Sequence, residues 1–242
     1  MNFSMHSFSK KVFSHRAVLD QIQMLNLSSD NSVAICSIEQ IQVCLRDSTR
    51  VSHRAIDHHP LLAPLVKPTL TLDHYKYVLN VMNWMHLHLR ERLAEAVLEY
   101  IPGSQFVPSD RLNWLVKDFK WLGMDKTPAP ECVMANFKPH FASAEALVGA
   151  LYVIEGSTLG GQFIAQQLAK TIHVYPGKGA SFFNGHGAET GSRWNDFWKF
   201  AASVCVDGSL EEVCTAAGQM FEEFESMLNA CVDLRLQIVT AS

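Results

Sequence analysis

Helical periodicity runs through almost every long segment of this 242-residue chain and limits the folds that it can adopt. Apolar residues recur every three or four positions, and proline, glycine or serine stands in helix-boundary positions between these segments. The long segments do not alternate apolar and polar residues in the way that half-buried strands do. The sequence therefore predicts an all-α protein, and it contains no internal repeat.

Capping residues and helix breakers predict where the six long helices begin and end. Ser37 with Gln40 fits a capping box, and Gly123 is suited to end a helix in a left-handed conformation. The predicted helices run from Ser37 to about His59, from Thr71 to Tyr100, from a cap at Ser109 to Gly123, from about Ser143 to about Ile172, from about Ser192 to Cys205, and from a cap at Ser209 past Phe224.

Composition sets the size of the core and excludes some partners. With 48% hydrophobic and 18% charged residues, the chain can bury one substantial core. We therefore expect a single helical domain over residues 37–242 and a mobile N-terminal extension over residues 1–36. The net charge of −4 gives no electrostatic footprint for nucleic acid, so no nucleic-acid partner is expected. No run approaches about eighteen uninterrupted apolar residues, so no membrane partner is expected either.

The N-terminus and the cysteines bear on the cellular compartment. Lys10, Lys11 and Arg16 precede the first acid, Asp20, which superficially resembles an organellar transit peptide, although a mobile extension is the favoured interpretation. The six cysteines are scattered and form no C-x-x-C pair, which argues against zinc ribbons and covalently attached haem. Their apolar neighbours favour reduced thiols packed in the core of an intracellular protein, although an even number still permits disulfides, and a cytoplasmic location is expected.

A histidine on the first helix is the first candidate for a functional residue. Arg46, Arg50, His53 and Asp57 are spaced four, three and four residues apart and so share one helix face. An imidazole on that face can bind a metal, and guanidinium groups one and two turns earlier can bind carboxylates. The alternative is a solvated face with a surface histidine, and the spacing alone favours that alternative.

The second candidate is a glycine-rich helix about a hundred residues later. Gly156, Gly160 and Gly161 lie within six residues of a helix interior, at a cost of about 2 to 3 kcal/mol relative to alanine. Such a cost suggests a compensating gain. The bare backbone could lie against a flat ligand, or it could allow two helices to pack closely, and the motif alone favours neither.

Two of these segments, and a third that follows them, resemble one family. The run LRDSTRVSHRAID (residues 45–57) resembles the proximal helix of haem oxygenases, and YVIEGSTLGGQ (152–162) resembles their distal helix. The run FFNGHGAETGSRW (182–194) is similar to the bacterial members associated with bacterial phytochromes. The resemblance extends from Leu45 to about Phe224 and implies a multihelical bundle that holds haem between the two helices.

The resemblance implies a reaction and a set of site residues. It implies cleavage of haem to biliverdin, CO and ferrous iron with O2 and an external ferredoxin or reductase as redox partner, at the α-meso carbon in the phytochrome-associated group. Haem would be substrate and cofactor at once, and a phytochrome is one candidate acceptor of biliverdin. On this match His53 is the axial iron ligand, Arg46 and Arg50 bind the propionates, and Gly156, Gly160 and Gly161 contact the haem.

One position departs from many family members. An aspartate commonly follows the first distal glycine, whereas this chain has Ser157. A serine can hold water in a hydrogen-bonded chain without supplying the charge of the aspartate, so Gly156, Ser157 and Gly160 are the predicted oxygen and water network. The change leaves a haem carrier or sensor as the main alternative. A thiaminase-like hydrolase, a di-iron protein and a purely structural helical protein rank behind it, and the paired Glu-x-x-His motifs of di-iron bundles are absent from the sequence.

Overall fold

Helices account for nearly all regular structure in the computed structural model, which describes residues 36–206 and 208–240, the last four by their backbone alone. The α-helices are α1 (Ile38–Asp57), α2 (Leu72–Tyr100), α3 (Arg111–Leu122), α4 (Glu131–Met134), α5 (Ala144–Thr171), α6 (Ser181–Asn184), α7 (Thr190–Val204) and α8 (Leu210–Thr240), with 3₁₀ turns at Ala63–Val66 and Gly187–Glu189. Within the described ranges no strand forms, and Tyr175 makes only isolated bridges with Lys178 and Gly179. The predicted all-α class is confirmed.

The helix caps that the sequence predicts are largely present. Ser37 and Gln40 close a reciprocal capping box at the start of α1. The hydroxyls of Thr71 and Ser143 accept hydrogen bonds from the third residue after them and so begin α2 and α5. Gly123 ends α3 with φ of +61°, a conformation that glycine adopts without a steric penalty.

The prediction for the start of α3 is wrong. Asp110, not Ser109, is the N-cap, because the Asp110 carboxylate accepts from the Asn113 N–H at 3.1 Å. Ser109 instead bonds to Glu155 of α5, a contact between elements that local sequence patterns do not reveal. Helix α7 begins at Thr190, two residues before the predicted start, and the short helices α4 and α6 were not predicted from the sequence.

Helix α8 is the support shared by the two helices that carry the candidate residues. On one side it packs against α5, where Gly149 allows the backbones to approach so closely that a Cβ would lie 2.2 Å from the Val213 carbonyl oxygen. On another side it packs against α1, where Cys44 meets Cys214 and the His53 ring meets Phe221. The core around these contacts is made largely of leucine, phenylalanine and valine side chains.

Helix α5 is the most apolar of the long helices. By length and composition alone it could span a membrane, but 56% of its most apolar window is buried inside the fold. Leu147, Leu151 and Leu168 are fully buried there. The apolar composition is therefore what a central core helix requires. Residues 1–35 of the predicted extension lie outside the described residues.

Candidate functional site

The geometry of His53 suits an axial metal ligand. Its side chain is 62% exposed on α1, and its Nδ1 lies 3.0 Å from Oδ2 of Asp57, one turn later. Metal-ligating histidines commonly donate one ring N–H to a carboxylate, which fixes the tautomer and presents the other nitrogen to the metal. The edge of the ring faces Phe221 of α8, with the ring centroids 5.9 Å apart. The arrangement leaves Nε2 as the nitrogen that can bind iron.

Arg46 and Arg50 lie on the same helix and are exposed, as the spacing predicts. Arg46 Nε is 3.9 Å from the carboxylate of its neighbour Asp47, and both side chains are about two-thirds exposed. An ion pair this exposed contributes little to stability. The Arg46 guanidinium is therefore available to a ligand carboxylate, and the binding of propionates by Arg46 and Arg50 stays a prediction.

The three glycines of α5 differ in what surrounds them. A Cβ at Gly161 would lie 2.5 Å from the Phe183 carbonyl oxygen, and one at Gly156 would lie 3.3 Å from the Trp194 ring. A Cβ at Gly160 would meet nothing within 4 Å. Close packing thus explains the glycine at 161 and contributes at 156, whereas packing within this structure does not explain the glycine at 160.

The exposed surface around Gly160 is apolar. Leu159 and Phe163 are 43% and 56% exposed, and Phe163 is one turn beyond Gly160 on the same face. Apolar side chains beside bare backbone form a surface that fits a flat, largely apolar molecule such as haem. Of the three glycines, Gly160 is therefore the strongest candidate for haem contact, followed by Gly156.

The run at residues 182–194 folds back onto the glycine-rich helix. Besides the contacts at Gly156 and Gly161, Gln162 of α5 donates a hydrogen bond to the Gly187 carbonyl and another, at 2.9 Å, to the Thr190 hydroxyl. Trp194 stacks on Phe197 at 4.8 Å between centroids, which fixes the ring beside Gly156. The two sequence motifs therefore form one structural unit.

A buried arginine bonds directly to the residue that replaces the common aspartate. Arg111, at the start of α3, is 5% exposed, and its Nη1 donates to the Ser157 hydroxyl at 3.1 Å. Its Nη2 donates to the Ile154 carbonyl, and the Ser157 hydroxyl also donates to that carbonyl, at 2.8 Å. The Ser157 hydroxyl is thereby fixed in direction, because its own proton is already used and one lone pair accepts from Arg111.

The negative charge of Glu155 acts on Arg111, and contacts of its own hold the Glu155 carboxylate in place. Burial lowers the pKa of Arg111, and the negative charge of Glu155 opposes that shift. The Glu155 carboxylate accepts from the Ser109 N–H at 2.9 Å and from the Ser109 hydroxyl. Ser109 Oγ also lies 2.8 Å from Nε2 of His186, whose pKa is lowered chiefly by burial and then by Arg193. A polar network thus connects α3, α5 and the loop before α7.

Sequence reasoning missed most of this network. Ser157 was identified from its place in the distal motif, and Glu155 belongs to the same run, but nothing local assigns Glu155 a partner. Arg111 is 46 residues from Ser157, and Ser109 is 46 residues from Glu155. His186 is 31 residues from Glu155. Only the tertiary fold therefore brings these three residues to α5. The placement of an arginine at the start of a helix, where positive charge is disfavoured, was the one available signal.

His86 is a buried histidine next to Arg111. It lines a cavity of about 240 Å³ together with Arg111, Ile154 and mainly aliphatic residues of α2 and α3. Burial, and then the charge of Arg111, lowers the pKa of His86 from 6.5 to about 3. The imidazole is therefore neutral at neutral pH, with its ring 5.5 Å from that of Phe182.

We expect His86 to make the protein less stable in acid. Below pH 6.5 the unfolded chain binds a proton that the folded chain does not bind until about pH 3. The free energy of unfolding should fall by about 1.4 kcal/mol for each pH unit in that interval. Chemical denaturation of the native protein and H86Q between pH 7 and pH 4 measures this, because glutamine does not titrate. Equal pH slopes for the two proteins would contradict the assignment.

Comparison with known proteins adds an independent line of evidence. The protein-family model described as "Heme oxygenase" matches residues 39–230, whereas no curated protein matches. Among solved structures, the chain is similar to the haem oxygenase of Neisseria meningitidis, determined with NO and CO bound, with 19% identity, a TM-score of 0.62, and coverage of 79% of this chain and 91% of that chain.

Two further solved structures share the fold. The haem oxygenase of Leptospira interrogans has 19% identity and a TM-score of 0.63, with 78% of this chain and 98% of that chain covered. Haem oxygenase-1 of the cyanobacterium Synechocystis, in complex with haem, has 15% identity and a TM-score of 0.60, with 83% and 98% covered. At these identities the structural likeness establishes the fold, and the family match covers most of the sequence. The chain belongs to the haem oxygenase family.

Proposed function

We propose that this chain cleaves haem, with O2 and electrons from a ferredoxin or reductase, to biliverdin, CO and ferrous iron, and that cleavage is at the α-meso carbon. Membership of the family supports haem binding and haem degradation in general. The observation that carries the proposal is the His53 side chain, which is exposed and bonded through Nδ1 to Asp57 so that Nε2 is left for iron. The sequence motifs resemble those of phytochrome-associated haem oxygenases, so we also propose that the chain is of this type and that a phytochrome accepts the biliverdin.

The residues of the chain would divide the binding of haem between two helices. His53 would hold the iron from α1, and Arg46 and Arg50 would bind the propionates, because a guanidinium can donate two hydrogen bonds to one carboxylate. Gly160 would allow the α5 backbone to approach the porphyrin closely. Haem itself supplies the iron that binds oxygen and is the molecule that is cleaved.

Ser157 and Arg111 would orient water on the α5 side. Since the Ser157 hydroxyl donates to the Ile154 carbonyl and accepts from Arg111, a water next to it can only donate a hydrogen bond to its remaining lone pair. The direction of that water is therefore set by the protein without an acidic side chain. This gives Ser157 a defined role in the place of the common aspartate.

The reaction and its regiochemistry are tested together by product analysis. The purified protein is loaded with haem and supplied with ferredoxin, its reductase and air, with catalase present to remove free peroxide. Chromatography against the four biliverdin isomers should show mainly the α isomer. Mainly β or δ biliverdin would contradict the α-meso assignment alone, whereas haem that stays bound and intact under conditions that support a known member would favour the carrier or sensor.

Replacement of Gly160 separates haem contact from helix packing. Because a Cβ at this position meets no protein atom within 4 Å, Gly160→Ala should raise the free energy of unfolding of the haem-free protein by about 1 kcal/mol. The same methyl group would meet the porphyrin, so we expect haem affinity to fall by about tenfold or more. Denaturation of the haem-free protein and haem titration of both proteins measure the two effects.

Gly191→Ala is the matched control for this substitution. Gly191 is also an exposed helical glycine with open space at its Cβ position, but it lies on α7. Gly191→Ala should leave the haem affinity unchanged. If G160A bound haem as tightly as the native protein did, Gly160 would not be a haem-contacting residue.

A further inference from the structure

Two cysteines on different helices lie close enough to react with each other. Cys44 of α1 and Cys214 of α8 are 170 residues apart in sequence, yet their Sγ atoms are 2.6 Å apart. A disulfide bond has a length of about 2.05 Å, so only a small displacement separates the thiol pair from a covalent bond. We infer that Cys44 and Cys214 form a reversible disulfide that joins α1 to α8.

The surroundings of the pair make one sulfur the attacking group. The hydrogen bond between the two sulfurs, and then the Ser48 side chain, lower the pKa of Cys214, although partial burial opposes the shift. The same contact, together with burial, raises the pKa of Cys44. Because the thiolate is the nucleophile in thiol chemistry, Cys214 reacts first and Cys44 resolves the intermediate.

The other described cysteines differ from this pair. Burial raises the pKa of Cys205 and of Cys231 to about 12, so both are protonated and unreactive at neutral pH. Cys132 on α4 is exposed, and Cys36 donates to the Val206 carbonyl at 3.4 Å. Cys44 and Cys214 are both only partly buried, so a small oxidant can reach them. Oxidation should therefore be selective for the pair.

The oxidation balances with a low-molecular-weight disulfide as oxidant. The Cys214 thiolate attacks one sulfur of oxidised glutathione, which forms a mixed disulfide and releases one glutathione thiolate. The Cys44 thiol then loses its proton to solvent, and its sulfur attacks the Cys214 sulfur and releases the second glutathione. The two protein thiols lose two electrons and two protons, and the oxidant is reduced to two thiols.

The bond would affect the helix that carries His53. Cys44 is nine residues before His53 on α1, and the His53 ring packs on Phe221, seven residues after Cys214 on α8. The disulfide therefore fixes the first half of α1 to the helix against which the candidate ligand rests. This inference goes beyond the proposed haem chemistry and needs no haem for its test.

The test uses the full-length reduced protein in glutathione buffers of stepped oxidation ratio, followed by acid quenching, alkylation and peptide mass mapping. We expect the loss of two hydrogen atoms and one cross-linked peptide pair containing Cys44 and Cys214, reversed by dithiothreitol. The inference would be overturned if alkylation still modified both Cys44 and Cys214 in the most oxidising buffer. A Cys36–Cys205 cross-link in place of the expected one would overturn it as well.

Single variants assign the roles of the two sulfurs. C44S should accumulate one glutathionyl group on Cys214, because no thiol is left to resolve the mixed disulfide. C214S should give no cross-link and less adduct at Cys44, and C132S, which changes an exposed cysteine on α4, should leave the cross-link unchanged. Formation of the adduct at Cys44 in C214S as fast as at Cys214 in C44S would contradict the assigned order of attack.

Discussion

His53→Ala should lower haem turnover by more than about 100-fold, since loss of even a residue that only supports a metal ligand costs about 10- to 100-fold. The stability of the haem-free protein should fall by no more than about 1 kcal/mol, because the side chain is mostly exposed, its contact with Asp57 is a surface pair, and only its ring contact with Phe221 reaches another helix. The rate of haem loss under reducing, aerobic conditions and the unfolding transition of the haem-free protein measure the two quantities.

His58→Ala is the matched control for the histidine substitution. His58 is also exposed, follows α1 directly and bonds to the Arg54 carbonyl at 2.9 Å, five residues from the candidate ligand. The His58→Ala variant should turn over haem at the native rate. Full turnover by H53A would remove His53 from the site, and equal losses in both variants would point to disruption of the end of α1.

Among the substitutions described above, Gly149→Ala should change the stability of the haem-free protein most. A Cβ at Gly149 would lie 2.2 Å from the Val213 carbonyl oxygen and 2.8 Å from the Ala217 nitrogen. Both are backbone atoms of α8, so no side chain can move aside and the two helices must separate. We expect the free energy of unfolding of the haem-free protein to fall by about 3 kcal/mol, at the upper end of the usual cost of overpacking.

The comparison with Gly160→Ala isolates the cause of that loss. Both substitutions add one methyl group to α5 and both favour the helix by propensity, but only the one at position 149 meets another helix. Denaturant titration of the two haem-free variants should therefore give changes of opposite sign. A neutral or stabilising Gly149→Ala would show that α5 and α8 are not in close contact at this crossing.

The helices could be predicted because their signals are local. The capping box at Ser37, the helix start near Thr71 and the left-handed Gly123 depend on residues within a few positions, and the structure contains all three. The predicted cap at Ser109 is wrong because the Ser109 hydroxyl donates to the Glu155 carboxylate of α5. Glu155 is distant in the sequence, so local patterns do not indicate this contact.

The candidate site was likewise predictable only where its signals are local in the sequence. The four-residue spacing placed His53 and Asp57 on one face, and the structure brings them into contact. Glycine spacing did not distinguish Gly160, which has open space, from Gly161, which packs on Phe183, and it gave no sign of the closer crossing at Gly149. The contact between Arg111 and Ser157 depends on the tertiary fold, which brings the start of α3 to α5, and no short sequence motif indicates it.

The proposed cleavage of haem is tested most directly by the amount of CO released per haem consumed. Haem-loaded protein is reduced in air by ferredoxin and its reductase with catalase present, and CO is quantified as the haem absorption disappears. Cleavage of haem to biliverdin predicts one CO for each haem. Intact haem under conditions in which a known member turns over, or loss of haem absorption without CO, would contradict it.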